Sequence, residues 1–301
     1  MAIARTAAKR ISNNPDADTS RFAGAQASRF TRTLRHLLLI TATIVMLYPV
    51  IWMLLSSLKP QEEIFSTGLW PESWTLENYT NGWNALQHGF GRFFTNSAII
   101  AAAAVIGNLA SCSLAAFAIA RLRFRGNKLV LGIVLLTIML PYHVVVVPQY
   151  VVFSSIGWVN TFWPLILPKF LATDAFFIFL MVQFIRSLPR ELDEAARLDG
   201  CGPFGIYGRI ILPLTVPALA TTAIFTFIWT WNDFFTPLIY LNDPATHTVP
   251  IALSSFLDST GQSSYGSLFA MSMLALAPIV GFFIAAQRYL VEGIATTGAK
   301  G

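Results

Sequence analysis

Between Glu191 and Pro213 the chain reads ELDEAARLDGCGPFGIYGRIILP, a run of carboxylates, arginines and glycines set between two long apolar segments. The protein is 55% hydrophobic and only 12% charged, so this concentration of charge requires a reason. The residue types suit a contact more than a reaction. Pro189 fits a first helical turn, Glu191, Asp193 and Glu194 favour the positive end of a helix dipole, and Gly200 fits a C-terminal stop. The predicted helix, about 189–199, is only ~16 Å long at 1.5 Å per residue and needs something to pack on. Leu192, Ala195, Ala196 and Asp199 share one face by three-to-four spacing, and the paired alanines let a partner approach closely. Glu194 and Arg197 can pair along the helix, but exposed pairs contribute little. Spacing alone leaves two readings open, a docking helix and a solvated connector.

Other reactive side chains form no constellation. The histidines at 36, 88, 143 and 247 are scattered without ligand spacing, so no metal site is expected. Cys112 lies in an apolar run and Cys201 in the charged stretch, which predicts neither a disulfide framework nor a cysteine-based metal site. No G-x-x-x-x-G-K-S/T occurs, since GNKLV and GAKG are not phosphate-binding loops, so no cofactor is expected in this chain.

The elements that must position the charged stretch are membrane spans. A mean hydropathy of +0.60, with 24 Phe and 8 Trp, marks an all-α polytopic membrane protein. A bilayer core of about 30 Å needs about 20 apolar helical residues. On that measure six spans are expected, at 37–58, within 93–120, and at 129–152, 161–186, 210–231 and 267–286. The second is rich in small residues that suit close helix packing. Residues 129–168 contain no Asp, Glu, Lys or Arg. As one helix they would be ~60 Å long, so a break is expected at SSIGWVN, 154–160.

Orientation follows from the basic residues, which are retained on the cytoplasmic side. With six spans, 17 of the 20 Lys and Arg fall on the side of both termini and of the 2–3 and 4–5 loops. Both termini are therefore expected in the cytoplasm, and the net charge of +5 is a topology signal with no bearing on nucleic acid. Residues 1–33 read as a basic, disordered tail, too long and polar to be a signal peptide. The domain expectation is this tail, a membrane domain over 34–291 and a cytoplasmic tail over 292–301.

Glu194-Ala195-Ala196, then Gly200, then Ile210, Leu212 and Pro213 resemble, without a gap, the EAA loop of binding-protein-dependent ABC importer permeases. The resemblance runs from the first span to the last residue and is closest to the carbohydrate, maltose-type class. MLPYHVVVVPQYVVFSSIGWVNTFWPLILP, WTWNDFFTPLIYL and QRYLVEGIATTGAKG look like segments of that class. The resemblance implies that Glu194, Ala195 and Ala196 dock, beside Asp199, in a cleft of a cytoplasmic ATPase subunit. Gly200 would end the docking helix, and Ile210, Leu212 and Pro213 would lock the loop to the fifth span.

It also implies the partners: a homologous second permease, two ATPase subunits that hold ATP and magnesium, an extracytoplasmic solute-binding protein, a sugar and membrane lipid. The location implied is a bacterial or archaeal cell (inner) membrane, crossed several times. Trp229, Trp231, Asn232 and Asp233 would stack on and hydrogen-bond to sugar rings, the alternative being an aromatic belt at a helix end. Lys169 and Asp174, five apart in the fourth span, suit either the pathway or the outer interface. The 242–267 loop, with Thr248, Pro250, Ser254 and Ser255, would reach into the binding protein, and the last ten residues would run along the ATPase dimer interface. A stand-alone secondary transporter or channel is the alternative. Against it stand the absence of a detectable inverted repeat and the presence of the loop motif.

Overall fold

The structure, a computed structural model, describes residues 29–65, 68–257 and 264–298. Among these there are helices and loops but no strand. The chain divides into two units at Trp52 and Met53. The first is described from Arg29 and is the helix α1, Arg29–Ser57, which continues into the second unit. Leu38, Val45 and Met46 are exposed, as suits a helix surrounded by lipid. The expected tail over 1–33 lies outside the described residues as far as residue 28.

The second unit holds α2 (Glu77–Asn84), α3 (Phe90–Arg121), α4 (Asn127–Ile138), α5 (Tyr142–Ser155), α6 (Trp163–Phe170) and α7 (Ala175–Ser187). It continues with α8 (Glu191–Leu198), α9 (Pro203–Leu214), α10 (Val216–Trp231), α11 (Phe235–Tyr240), α12 (Val249–Ser254) and α13 (Tyr265–Gly298). Among the described residues four helical stretches are long and apolar enough to cross a membrane, and the number is six when each of two bent pairs is taken as one span. The fold is thus the expected all-helical, polytopic one.

Two of the expected spans are not single helices. Residues 129–152 are divided between α4 and α5, which meet at 101°. Pro141 ends α4 because it constrains the residue before it and brings no N–H, whereas Pro148 is accommodated inside α5. The expected turn at 154–160 is present, with Gly157 at φ 72° and Asn160 at φ 65°. The fifth span is α9 and α10, bent by 75° at Thr215. Pro217 lies four residues after Pro213 and cannot donate to its carbonyl, which favours a bend at this point. The sixth helix, α13, runs as backbone to Gly298, well past the expected end at 286 and into the 292–301 tail.

Helix α3 is the hub. Ala104, Asn108, Cys112, Ala116 and Ala120, each four residues apart, form one buried stripe, and α6, α7 and α10 pack on this helix. Small side chains let the helix axes approach, which is how membrane helices gain dispersion energy where the hydrophobic effect is weak. Toward the α8 end, Phe117, Phe177, Met181, Ile185, Ala196 and Ile211 close one apolar cluster. A second cluster gathers Phe90, Phe93, Trp231, Val249 and Met271.

Candidate functional site

The charged stretch folds as a short helix with a defined stop. Gly200 adopts φ 81°, which L side chains avoid. Its N–H donates to the Arg197 carbonyl at 3.0 Å and that of Cys201 to the Ala196 carbonyl at 2.9 Å. This is a Schellman closure, and it turns the chain sharply into α9.

Helix α8 keeps most of the expected partner face open and buries one residue of it. Asp193 and Ala196 are buried, while Leu192, Ala195 and Asp199 face outward. Of the four residues expected to meet a partner, only Ala196 turns inward, because Ala195 and Ala196, adjacent in sequence, point about 100° apart on a helix. Ala196 packs into the bundle, whereas Glu194, Ala195 and Leu198 form the outward face, with Leu198 at 89% exposure and Phe204 beyond it at 84%.

Beneath that face Asp193 meets Arg121, the last residue of α3, at 3.5 Å between Oδ2 and Nε, both side chains being almost wholly buried. Arg121 also donates from Nη2 to the carbonyl of Leu188, just past α7, at 2.9 Å. One guanidinium thus joins three helix ends. Asp193 was read from sequence only as a dipole-favoured acid and Arg121 only as a topology marker. No sequence spacing links positions 72 apart. Ile206 and Ile211 are buried beneath the loop, with Ile210 and Leu212 half-buried and Pro213 exposed. The apolar anchor is therefore Ile206 and Ile211 rather than Pro213.

A cavity of about 880 Å³ opens between α3, α4, α5, α6 and α10, within the size range of small-molecule sites. Trp229 and Asp233 line it, as do Tyr142, His143, Tyr240 and Thr248. Trp231 points elsewhere: it is buried in the second cluster and donates to the Ala275 carbonyl at 3.1 Å. Residues two apart on a helix project about 200° from each other, so Trp229 and Trp231 cannot share one wall. Asn232 is exposed and bonds to the Ile228 carbonyl at 2.8 Å, outside the cavity lining. Asp233 accepts the Thr236 N–H at 3.0 Å and so caps the start of α11.

At one end of the cavity the fourth span breaks between Phe170 and Ala175, with Ala172 in the left-handed region at φ 54°. The break brings Lys169 Nζ to 2.8 Å from Asp174 Oδ2, where a continuous helix would hold them about 140° apart. Asn108 of α3 also donates to Asp174 Oδ2, and it bonds to Thr226 of α10. Asn108 was not singled out from sequence, since an amide in a small-residue stripe has no distinguishing pattern.

The 242–267 segment is held down over its described part. Asn96 donates to the carbonyls of Ala245 and His247, and Ser97 accepts the Val249 N–H. Thr248 is buried, Pro250 is half-buried, and Ser254 and Ser255 are exposed at the end of α12. Residues 258–263 of this loop lie outside the described residues.

Residues 107–295 match the family described as binding-protein-dependent transport system inner membrane component. The chain belongs to that family and is a multi-pass inner-membrane protein of binding-protein-dependent transport. It is 37% identical over 260 residues to a probable ABC transporter permease protein, YurM, of Bacillus subtilis, covering 86% of this chain and 85% of that one. It is 32% identical over 272 residues to the trehalose/maltose transport system permease protein MalG of Thermococcus litoralis, covering 89% and 98%. In fold it resembles a chain of a bacterial ABC transporter involved in alginate import, with TM-score 0.75 at 20% identity over 88% of this chain and 98% of that one.

Proposed function

We propose that this chain is one of two membrane subunits of an ATP-driven importer of di- or oligosaccharides. The outward face of α8 docks in a separate ATPase subunit, with Glu194 supplying a carboxylate to a basic group and Ala195 allowing close approach. Closure of the ATPase dimer pushes α8, and the Arg121–Asp193 junction passes the movement to α3 and α7. The cavity then alternates between the two sides of the membrane. An external binding protein delivers the sugar, both termini are cytoplasmic, and ATP with magnesium is bound by the partner, so that this chain carries no cofactor.

The single observation that carries this reading is the construction of α8. Its outward face presents Glu194, Ala195 and Leu198, its base is pinned by a buried ion pair, and its end is fixed by a left-handed glycine. A solvated connector would need none of these. The reading is supported further by relatives named as permeases for arabinooligosaccharides and for trehalose/maltose.

The test is affinity purification of the tagged chain from its native membrane in mild detergent, with and without crosslinking. Recovery of a P-loop ATPase together with a second permease is the expected result. Recovery of the chain alone after crosslinking would favour a stand-alone transporter driven by an ion gradient.

A further inference from the structure

We propose that the Lys169–Asp174 pair is a saccharide-hydroxyl site in the cavity wall, and that the charge around it selects uncharged sugars over uronic acid sugars. This deepens the sugar-transport reading and rests on it.

Among the described residues two ion pairs lie at helix ends, and their burial separates their roles. Arg121 and Asp193 are sealed, with side-chain exposures of 2% and 6%. Lys169 and Asp174 keep 28% and 26% and line the cavity. A pair made only to hold helices together gains nothing from facing a cavity, and ionisable groups inside a span are costly enough that their accessibility needs a use.

The backbone is arranged to create this pair. Ala172 takes a left-handed conformation, unfavourable for a residue with a Cβ, and that break turns Lys169 and Asp174 toward each other. Asp174 receives both Lys169 and Asn108 on Oδ2. Its Oδ1 has no hydrogen-bond partner among the described residues, and an ammonium has three donors, of which Asp174 occupies one. The pair therefore offers an acceptor and donors side by side, which is what a sugar hydroxyl, itself donor and acceptor, requires.

The surrounding wall fits the same ligand. Trp229 is 52% exposed, giving an aromatic face for the apolar side of a pyranose or furanose ring. The charged residues of the lining are Lys169, Asp174 and Asp233. Two carboxylates against one ammonium leave a negative balance that repels a uronate and is indifferent to a neutral sugar.

The experiment uses the full-length chain in its assembled transporter, in nanodiscs. Tryptophan fluorescence is titrated with maltotriose, cellotriose and arabinotriose as uncharged probes and with trigalacturonate as the acidic one, with Trp229→Phe as the blank. The expected result is saturable binding of at least one uncharged trisaccharide and none of trigalacturonate. Asp174→Asn, which leaves Lys169 unpaired, should weaken the uncharged sugar about tenfold, the loss of a hydrogen bond to a charged group, and admit trigalacturonate. Binding in Asp174→Asn within about twofold of wild type, with trigalacturonate still excluded, would overturn the site while leaving the sugar reading standing. Failure of wild type to bind any of the sugars would overturn both. Where Asp174→Asn does not assemble, the double variant Lys169→Asp/Asp174→Lys keeps an ion pair with its polarity reversed. Weakened binding in a stably assembled reversal supports the site, and unchanged binding overturns it.

Discussion

Asp193 Oδ2 and Arg121 Nε lie 3.5 Å apart at the point where α8 meets the end of α3, and both side chains are sealed from solvent. Nε of Arg121 and Oδ1 of Asp193 make no hydrogen bond, so the contact is Coulombic, supplemented by the bond from Arg121 to the Leu188 carbonyl. An incompletely bonded buried pair contributes less to stability than its charge suggests, while removal of one member strands the other. Asp193→Asn or Arg121→Met alone should each cost about 3–5 kcal/mol, and Arg121→Met/Asp193→Leu together much less than the sum. Thermal melts of the purified transporter check this, and strict additivity of the two single effects would disprove the coupling.

Gly200 and Gly202 supply a controlled comparison. A Cβ at either meets nothing within 4 Å, but Gly200 is at φ 81° and Gly202 at φ −74°. Gly200→Ala should therefore destabilise by about 1 kcal/mol through backbone strain alone, and Gly202→Ala should be near neutral. Equal melting temperatures for the two variants would contradict the left-handed turn.

At Gly107 the constraint is spatial. A Cβ there would stand 2.6 Å from Phe170 Cδ2 and 3.1 Å from the backbone carbon of Lys169. Gly107→Ala should cost about 1–3 kcal/mol and displace the helix break that carries Lys169. Phe170→Leu should recover part of the loss, because it withdraws the ring; a second-site change without any recovery would place the strain elsewhere.

Glu194 lies exposed on the outward face of α8. Glu194→Lys should leave insertion and melting temperature unchanged while abolishing sugar uptake. Full uptake at normal expression would count against docking through this carboxylate.

His247, in the segment that packs over α3, has its pKa pulled below the usual histidine value chiefly by burial. The folded state therefore takes up its proton less readily than the unfolded state. Its contribution to stability is full above about pH 6.5 and is lost as pH falls through the folded value. Between about pH 7.5 and 5.5 the melting temperature of wild type should drop further than that of His247→Gln. Parallel curves would show that His247 takes up its proton alike in the folded and unfolded states, against the downward shift.

The all-helical membrane class, the positions of the apolar segments, the short α8 and its glycine stop follow from local sequence. Hydropathy, helix spacing and the left-handed preference of glycine act over a few residues, and each agrees with the structure at 191–200. The bend at Pro141 was not legible, because Pro148, seven residues later, carries the same local signal and is nonetheless helical. A proline marks a possible break, and only the packing around it decides whether one occurs.

Amphipathic spacing at α8 showed which residues are neighbours but not which of them face the bundle. That choice was decided by Arg121, distant in sequence, whose buried charge required Asp193 beside it. Likewise Lys169 and Asp174 are just two isolated charges in the sequence. Their 2.8 Å pairing exists because Gly107 admits Phe170 against α3 and Asn108 holds the carboxylate from across the bundle. Local sequence determined where helices form and stop. Tertiary structure decided which charges meet and whether they are sealed or open to the cavity, because Coulombic pairing and burial depend on distances that chain spacing does not set.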